Sequence, residues 1–212
     1  MSERKGFSSL MYLLDGLTKQ DKINCLSLLN ENDILGYLYQ EKIYTNFHDV
    51  YEKHPDRPRY LSKYKNLDFV VSCDVGNDFI ILSIDPHIDY SKIIIKLTDE
   101  FNTLFKNTSF CYIDDEGTSP RSLEECIKSN DLKWLFKYNY FGKNFIEKYG
   151  KEFFLNMPCE NVTLLTDDII RIDLTKDIFT PIDKELAKKV HAYLKGFDIQ
   201  VSFYNYKNFL ID

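Results

Sequence analysis

The sequence predicts an α+β fold: a mostly antiparallel sheet with helices packed on one face, and an N-terminal helical segment. Three observations carry that expectation. Apolar residues before Tyr51 recur at helical spacing, two pairs of short β-rich runs beyond Lys65 each close on turn residues, and amphipathic stretches stand between them. The 212 residues, 44% hydrophobic and 15% aromatic, suffice for one sizeable core and exclude a disordered or low-complexity chain.

In chain order, Leu10, Leu13, Leu14 and Leu17, then Ile23, Leu26, Leu28 and Leu29, then Ile34, Leu35, Leu38 and Tyr39 predict two or three helices between Ser8 and Tyr51. Lys53 to Lys65, with Pro55, Pro58 and five basic residues, reads as an extended, solvated connection. It divides a helical segment over 1–52 from an α+β domain over 66–212, the two forming one compact unit. Phe69–Cys73 and Phe79–Ile84 flank Gly76-Asn77 as a hairpin. Ile93, Ile94, Leu97, Phe101, Leu104 and Phe105 make a helical stripe over Tyr90–Lys106, and Ser109–Ile113 returns to strand.

Ser122-Leu123-Glu124-Glu125 has the spacing of a capping box, so a short helix is expected there after a turn-rich stretch from Asp114 to Pro120. Trp134–Phe141 reads as one aromatic strand, with Trp134, Phe136, Tyr138 and Tyr140 in a single row. A helix over Lys143–Tyr149 stops at Gly150, and Val162–Leu165 with Ile169–Leu174 form a second hairpin turning near Asp167-Asp168. A helix from about Pro181 to Lys195, stopped by Gly196, precedes a strand at Val201–Phe203.

Twenty-seven basic residues against 33 acidic give a formal charge of −6, the wrong sign for a general phosphate-backbone binder, so no nucleic-acid partner is expected. No stretch has the apolar length to cross a bilayer and the N-terminus lacks a signal-peptide core, which predicts a cytoplasmic protein without a membrane partner. The five cysteines lie 15 to 48 residues apart without a CxxC pair, a spacing that predicts reduced, mostly buried thiols and no metal.

Nucleotide-binding glycine loops, a GxSxG elbow and an HExxH pair are all missing from the sequence, which predicts a protein that is not an enzyme and takes no cofactor. The most site-like cluster is Asp85-Pro86-His87-Ile88-Asp89, from which a small hydrolase using carboxylates and His87 is one alternative; a nucleophilic Cys159 would lack an identified base. The segment from Cys111 to Asp131 holds Asp114, Asp115, Glu116, Glu124, Glu125 and Asp131 against Arg121 and Lys128. It is either a solvated loop and helix face or an acidic patch for a basic partner. In the second case Asp114, Asp115, Glu116, Glu124 and Glu125 form the contact, joined by the aromatic anchors Trp134 and Tyr138.

The block from Tyr138 to Pro158, read as N-x-F-G at Asn139–Gly142, a short helix, G-x-E at Gly150–Glu152, two apolar residues and then Pro158 before a hairpin, resembles a signature of immunity proteins of bacterial polymorphic toxin systems. It is most similar to the family called immunity protein fifty-two, over roughly residues 69 to 195, and departs from it at Lys143. The resemblance implies a non-catalytic protein that binds and neutralises a cognate toxin domain. The alternative from a different class is an adaptor or structural protein of a phage or defence system.

Overall fold

The computed structural model describes residues 7–31, 34–39, 42–44, 59–64, 70–76, 78–84, 91–115 and 120–204. The chain opens with strand β1 (Phe7–Leu13), helix α1 (Lys19–Glu31), and strands β2 (Ile34–Tyr39), β3 (Lys42–Tyr44) and β4 (Arg59–Tyr64). Strands β5 (Val70–Val75) and β6 (Phe79–Ile84), helix α2 (Ser91–Leu104), strand β7 (Thr108–Asp115), helix α3 (Leu123–Lys128) and strands β8 (Trp134–Leu135) and β9 (Tyr138–Phe141) follow. Helices α4 (Lys143–Tyr149) and α5 (Lys151–Leu155), strands β10 (Asn161–Thr166) and β11 (Ile169–Asp173), helix α6 (Lys184–Lys195) and strand β12 (Ser202–Phe203) complete it.

The α+β class is as expected. Among the described residues ten strands form one sheet in the order β10-β11-β9-β7-β1-β6-β5-β4-β2-β3, every pairing antiparallel, and β12 pairs in parallel with β8 outside it. The hairpin of β5 and β6 runs in register from Val71 opposite Ile84 to Val75 opposite Ile80, and β10 and β11 pair as the second hairpin. No helix among the described residues is long and apolar enough to cross a membrane.

The N-terminal expectation is corrected. Among the described residues before Tyr51 there is one helix, α1, whereas Phe7–Leu13, Ile34–Tyr39 and Lys42–Tyr44 are strands, the first of them between β6 and β7 in the middle of the sheet. The segment over 1–52 is therefore neither helical throughout nor a separate layer, and part of the predicted connection, Arg59–Tyr64, is strand β4 paired with β2 and β5. A central strand is covered on both faces, so its apolar residues need not alternate with polar ones, and Leu10, Leu13, Leu14 and Leu17 imitate a helical stripe.

Helices also lie on both faces of the sheet rather than one. Cys25 and Leu28 of α1 and Ile94, Leu97 and Phe101 of α2, with Leu17 just before α1, pack against Phe7, Met11, Ile80, Leu82, Cys111, Ile113, Tyr138 and Tyr140. The opposite face of the same strands, with Phe110, Tyr112, Phe141, Ile170 and Ile172, packs against α3, α4, α5 and α6 through Ile127, Phe145, Phe154 and Val190. Successive strand residues point to opposite faces, so β7 divides its side chains between two cores.

Candidate functional site

The seven residues expected at an interface are not one surface. Asp114 is fully buried, because β7 runs on through Asp115, pairing with Ser8 and Phe7 of β1, where a turn was expected. Tyr138 is buried as well, at 3% exposure, on the face covered by α1 and α2. Neither can meet a partner. Glu124 and Glu125 are exposed in the first turn of α3, where Glu124 pairs with Lys128 at 2.6 Å, and Trp134 is half-buried against the Tyr204 ring. The side chain of Asp115, and Glu116 and the Asp85–Asp89 cluster with His87, lie outside the described residues.

The aromatic row is broken too. Phe136 and Lys137 interrupt the strand between β8 and β9, and the Phe136 ring stacks on Tyr112 at 3.8 Å, on the face opposite Tyr138 and Tyr140. Asn139 holds the break: its Oδ1 accepts from the Phe136 amide at 2.9 Å and its Nδ2 donates to the Phe136 carbonyl at 2.8 Å, all fully buried. A side-chain amide replaces the ladder partners that the backbone loses there.

The rest of the N-x-F-G…G-x-E block also has backbone duties. Gly142 donates its amide to Ser109 at 2.8 Å, and a Cβ added there would stand 1.7 Å from the Thr108 carbonyl oxygen. Gly150 has φ +89°, which lets α4 turn into α5 within one residue. From α4, Lys148 pairs with Asp131 at 2.7 Å and the Tyr149 hydroxyl accepts from the Leu132 amide at 3.0 Å, clamping the loop after α3.

The most developed polar constellation was not foreseen. On the α2 side of β11, Arg171 is bidentate to Asp173, Nε to Oδ1 at 2.9 Å and Nη2 to Oδ2 at 3.1 Å, and its Nη1 donates to Asp99 Oδ2 on α2. Nη2 also reaches Thr163 Oγ1 on β10 at 3.4 Å, while Asn161 Nδ2 donates to Asp173 Oδ2 and to Thr163 Oγ1, each at 3.0 Å. The side chains of Arg171, Asp99 and Asp173 are only 13%, 26% and 8% exposed. The signal was Ile169-Ile170-Arg171-Ile172-Asp173, an apolar strand whose alternate residues carry opposite charges.

Burial raises the Asp99 and Asp173 carboxyls above their usual range, and the attraction of Arg171 offsets only part of that rise. Burial works against the charge on Arg171 but is outweighed by Asp173 and Asp99, so the guanidinium holds its proton more tightly than usual. Tyr140, behind this cluster, has its phenol raised by burial and then by the neighbouring Asp99. With two carboxylates and Thr163 around it, Arg171 is an internal clamp tying the sheet's end strands to α2.

The thiols tell a similar story. Cys25, Cys111 and Cys126 are buried and Cys159 is half-buried. Burial pushes the Cys111 thiol up to about 12, and raises Cys159 too, with Asp173 and Glu160 adding to it, the reverse of an activated nucleophile. No group of three or more metal-ligating side chains occurs among the described residues. Compared with known protein families the chain matches none, and no curated protein matches it.

Proposed function

We propose that this chain is a non-catalytic immunity protein, acting in the cytoplasm, that neutralises a cognate bacterial toxin domain by holding it in a stoichiometric complex. The observation that carries the reading is the 138–158 block: Asn139, Gly142 and Gly150, the residues by which it resembles that family, each have a backbone task in the structure. The block is thus a built unit, supporting a likeness of scaffold, and function is a step beyond it. The formal charge of −6 supports a basic partner.

The test starts from the reading frame beside this chain's gene. Its C-terminal domain is expressed in a bacterial host with and without this chain, and a mixture of the two purified proteins is sized by light scattering. Growth arrest relieved by the chain, together with a complex of fixed stoichiometry, is the expected result. Arrest that persists with the chain present, or an absence of complex, overturns the reading.

A further inference from the structure

The two ends of the ten-stranded sheet are built differently. At one end β3 is three residues long and includes Lys42, the short and charged form by which an edge avoids foreign strands. At the other end β10, Asn161-Val162-Thr163-Leu164-Leu165-Thr166, is six residues long and has neither a charge nor a proline. Leu164 is 44% exposed, and among the described residues no strand lies beyond β10. Alternate residues of an edge strand point their N–H and C=O groups outward, a ready template for another extended chain.

The edge is also held still. Asn161 and Thr163 are fixed by Asp173 and Arg171, which Asp99 ties to α2, so the strand's shape is set before anything binds. A register shift between Leu164 and Thr166 confines regular pairing with β11 to Asn161–Leu164, the part that the clamp supports.

Charge at the two ends decides between occupants. Glu160 precedes the strand and Asp167 follows it, both exposed, with Asp168 next. Two copies of β10 pairing antiparallel about their midpoint would set Glu160 of each opposite Asp167 of the other, and like charges opposite each other destabilise a ladder. The same acids attract a strand that is uncharged in its middle and basic at its ends. We propose that β10 is a docking edge that takes an extended segment of a partner protein, uncharged over the strand and flanked by Lys or Arg, as an eleventh strand. The inference does not require the partner to be a toxin, and its test uses none, so it and the proposed function fail separately.

The probe is a synthetic peptide of alternating Thr and Val with a Lys pair at each end, titrated into the isotope-labelled full chain and followed by backbone amide NMR. Two controls carry the same core with Glu pairs, and the Lys pairs with a Pro-interrupted core. Shifts centred on residues 160–167, about tenfold weaker binding of the Glu-flanked peptide, and none for the Pro-interrupted one are expected. Leu164→Lys, at an exposed position, should weaken the Lys-flanked peptide while the remaining spectrum stays in place. Shifts elsewhere, none at millimolar peptide, or equal binding of Lys- and Glu-flanked peptides would overturn the proposal. So would dimerisation of the free chain with shifts at β10, which makes a second copy the occupant.

Discussion

At the scale of single residues, the two glycines of the 138–158 block matter for opposite reasons. Gly142 has an ordinary extended backbone, φ −82° and ψ 179°, but no room, since a Cβ meets backbone oxygen; Gly150 has room and a positive φ. Gly142→Ala should therefore lose about 3 kcal/mol, because a β-strand carbonyl cannot step aside, and Gly150→Ala about 1–2 kcal/mol from backbone strain alone. Urea unfolding of the two variants checks this, and a Gly142→Ala protein as stable as the parent would show that the approach to Thr108 is wrong. The ionic clamp makes a pH prediction. The folded pKa values of Asp99 and Asp173 are raised above the usual 3.8, so their contribution to stability is fully present below that value and is lost as pH rises through the folded values. Arg171→Met removes the cation that limits this loss. The variant should fall short of the parent by about 3 kcal/mol near neutral pH and by much less at about pH 4, where the two acids can take up protons. A deficit that stays constant across that range would mean that the carboxyls do not depend on Arg171.

At the scale of elements, α3 and α6 separate a cap that is made from one that is only spelled. Ser122 and Glu125 have capping-box spacing, yet Ser122 sits at φ −87° and ψ 0° and its side chain caps nothing, because the loop enters α3 in a turn conformation. Asp183, at extended φ and ψ, accepts from the Glu185 and Leu186 amides at 3.0 Å each. Asp183→Ala should lower stability by about 1 kcal/mol while Ser122→Ala leaves it within about 0.5 kcal/mol, read from thermal melts; equal effects would contradict this assignment. The same contrast explains which elements were legible. The β5–β6 and β10–β11 hairpins and the helices α2, α4 and α6 carry local signals, turn residues and one-sided apolar stripes, that do not depend on distant neighbours. The break at Phe136-Lys137 depends on Asn139 folding back, and the Asp99–Arg171 pair joins residues far apart in sequence, so neither leaves a periodic trace.

At the scale of the whole molecule, the decisive feature is that the first strand of the chain stands in the middle of the sheet. β1 pairs with β6 from Phe7 opposite Ile84 to Tyr12 opposite Phe79, and with β7 from Phe7 opposite Asp115 to Leu13 opposite Thr108. It joins strands β2 to β6 on one side to β7, β9, β11 and β10 on the other, so a boundary between residues 52 and 66 marks no structural division. The sequence concealed this because β1 carries apolar residues on both faces, Phe7, Met11 and Leu13 on the buried one and Leu10 and Tyr12 on the half-buried one, and its partners are about 70 and 100 residues away. A fragment of residues 66–212 keeps both partners of β1 and loses the strand between them. Phe7, Met11 and Leu13 are each under 10% exposed, and at about 1.5–3 kcal/mol per buried side chain their loss removes roughly 5–9 kcal/mol, against a typical total of about 5–15 kcal/mol. The fragment should give no cooperative thermal transition and a weak near-UV circular dichroism signal, and adding a separate 1–65 fragment should restore part of both. A cooperative melt of 66–212 close to that of the full chain would mean that the C-terminal strands are a self-sufficient domain and that β1 is an accessory to them.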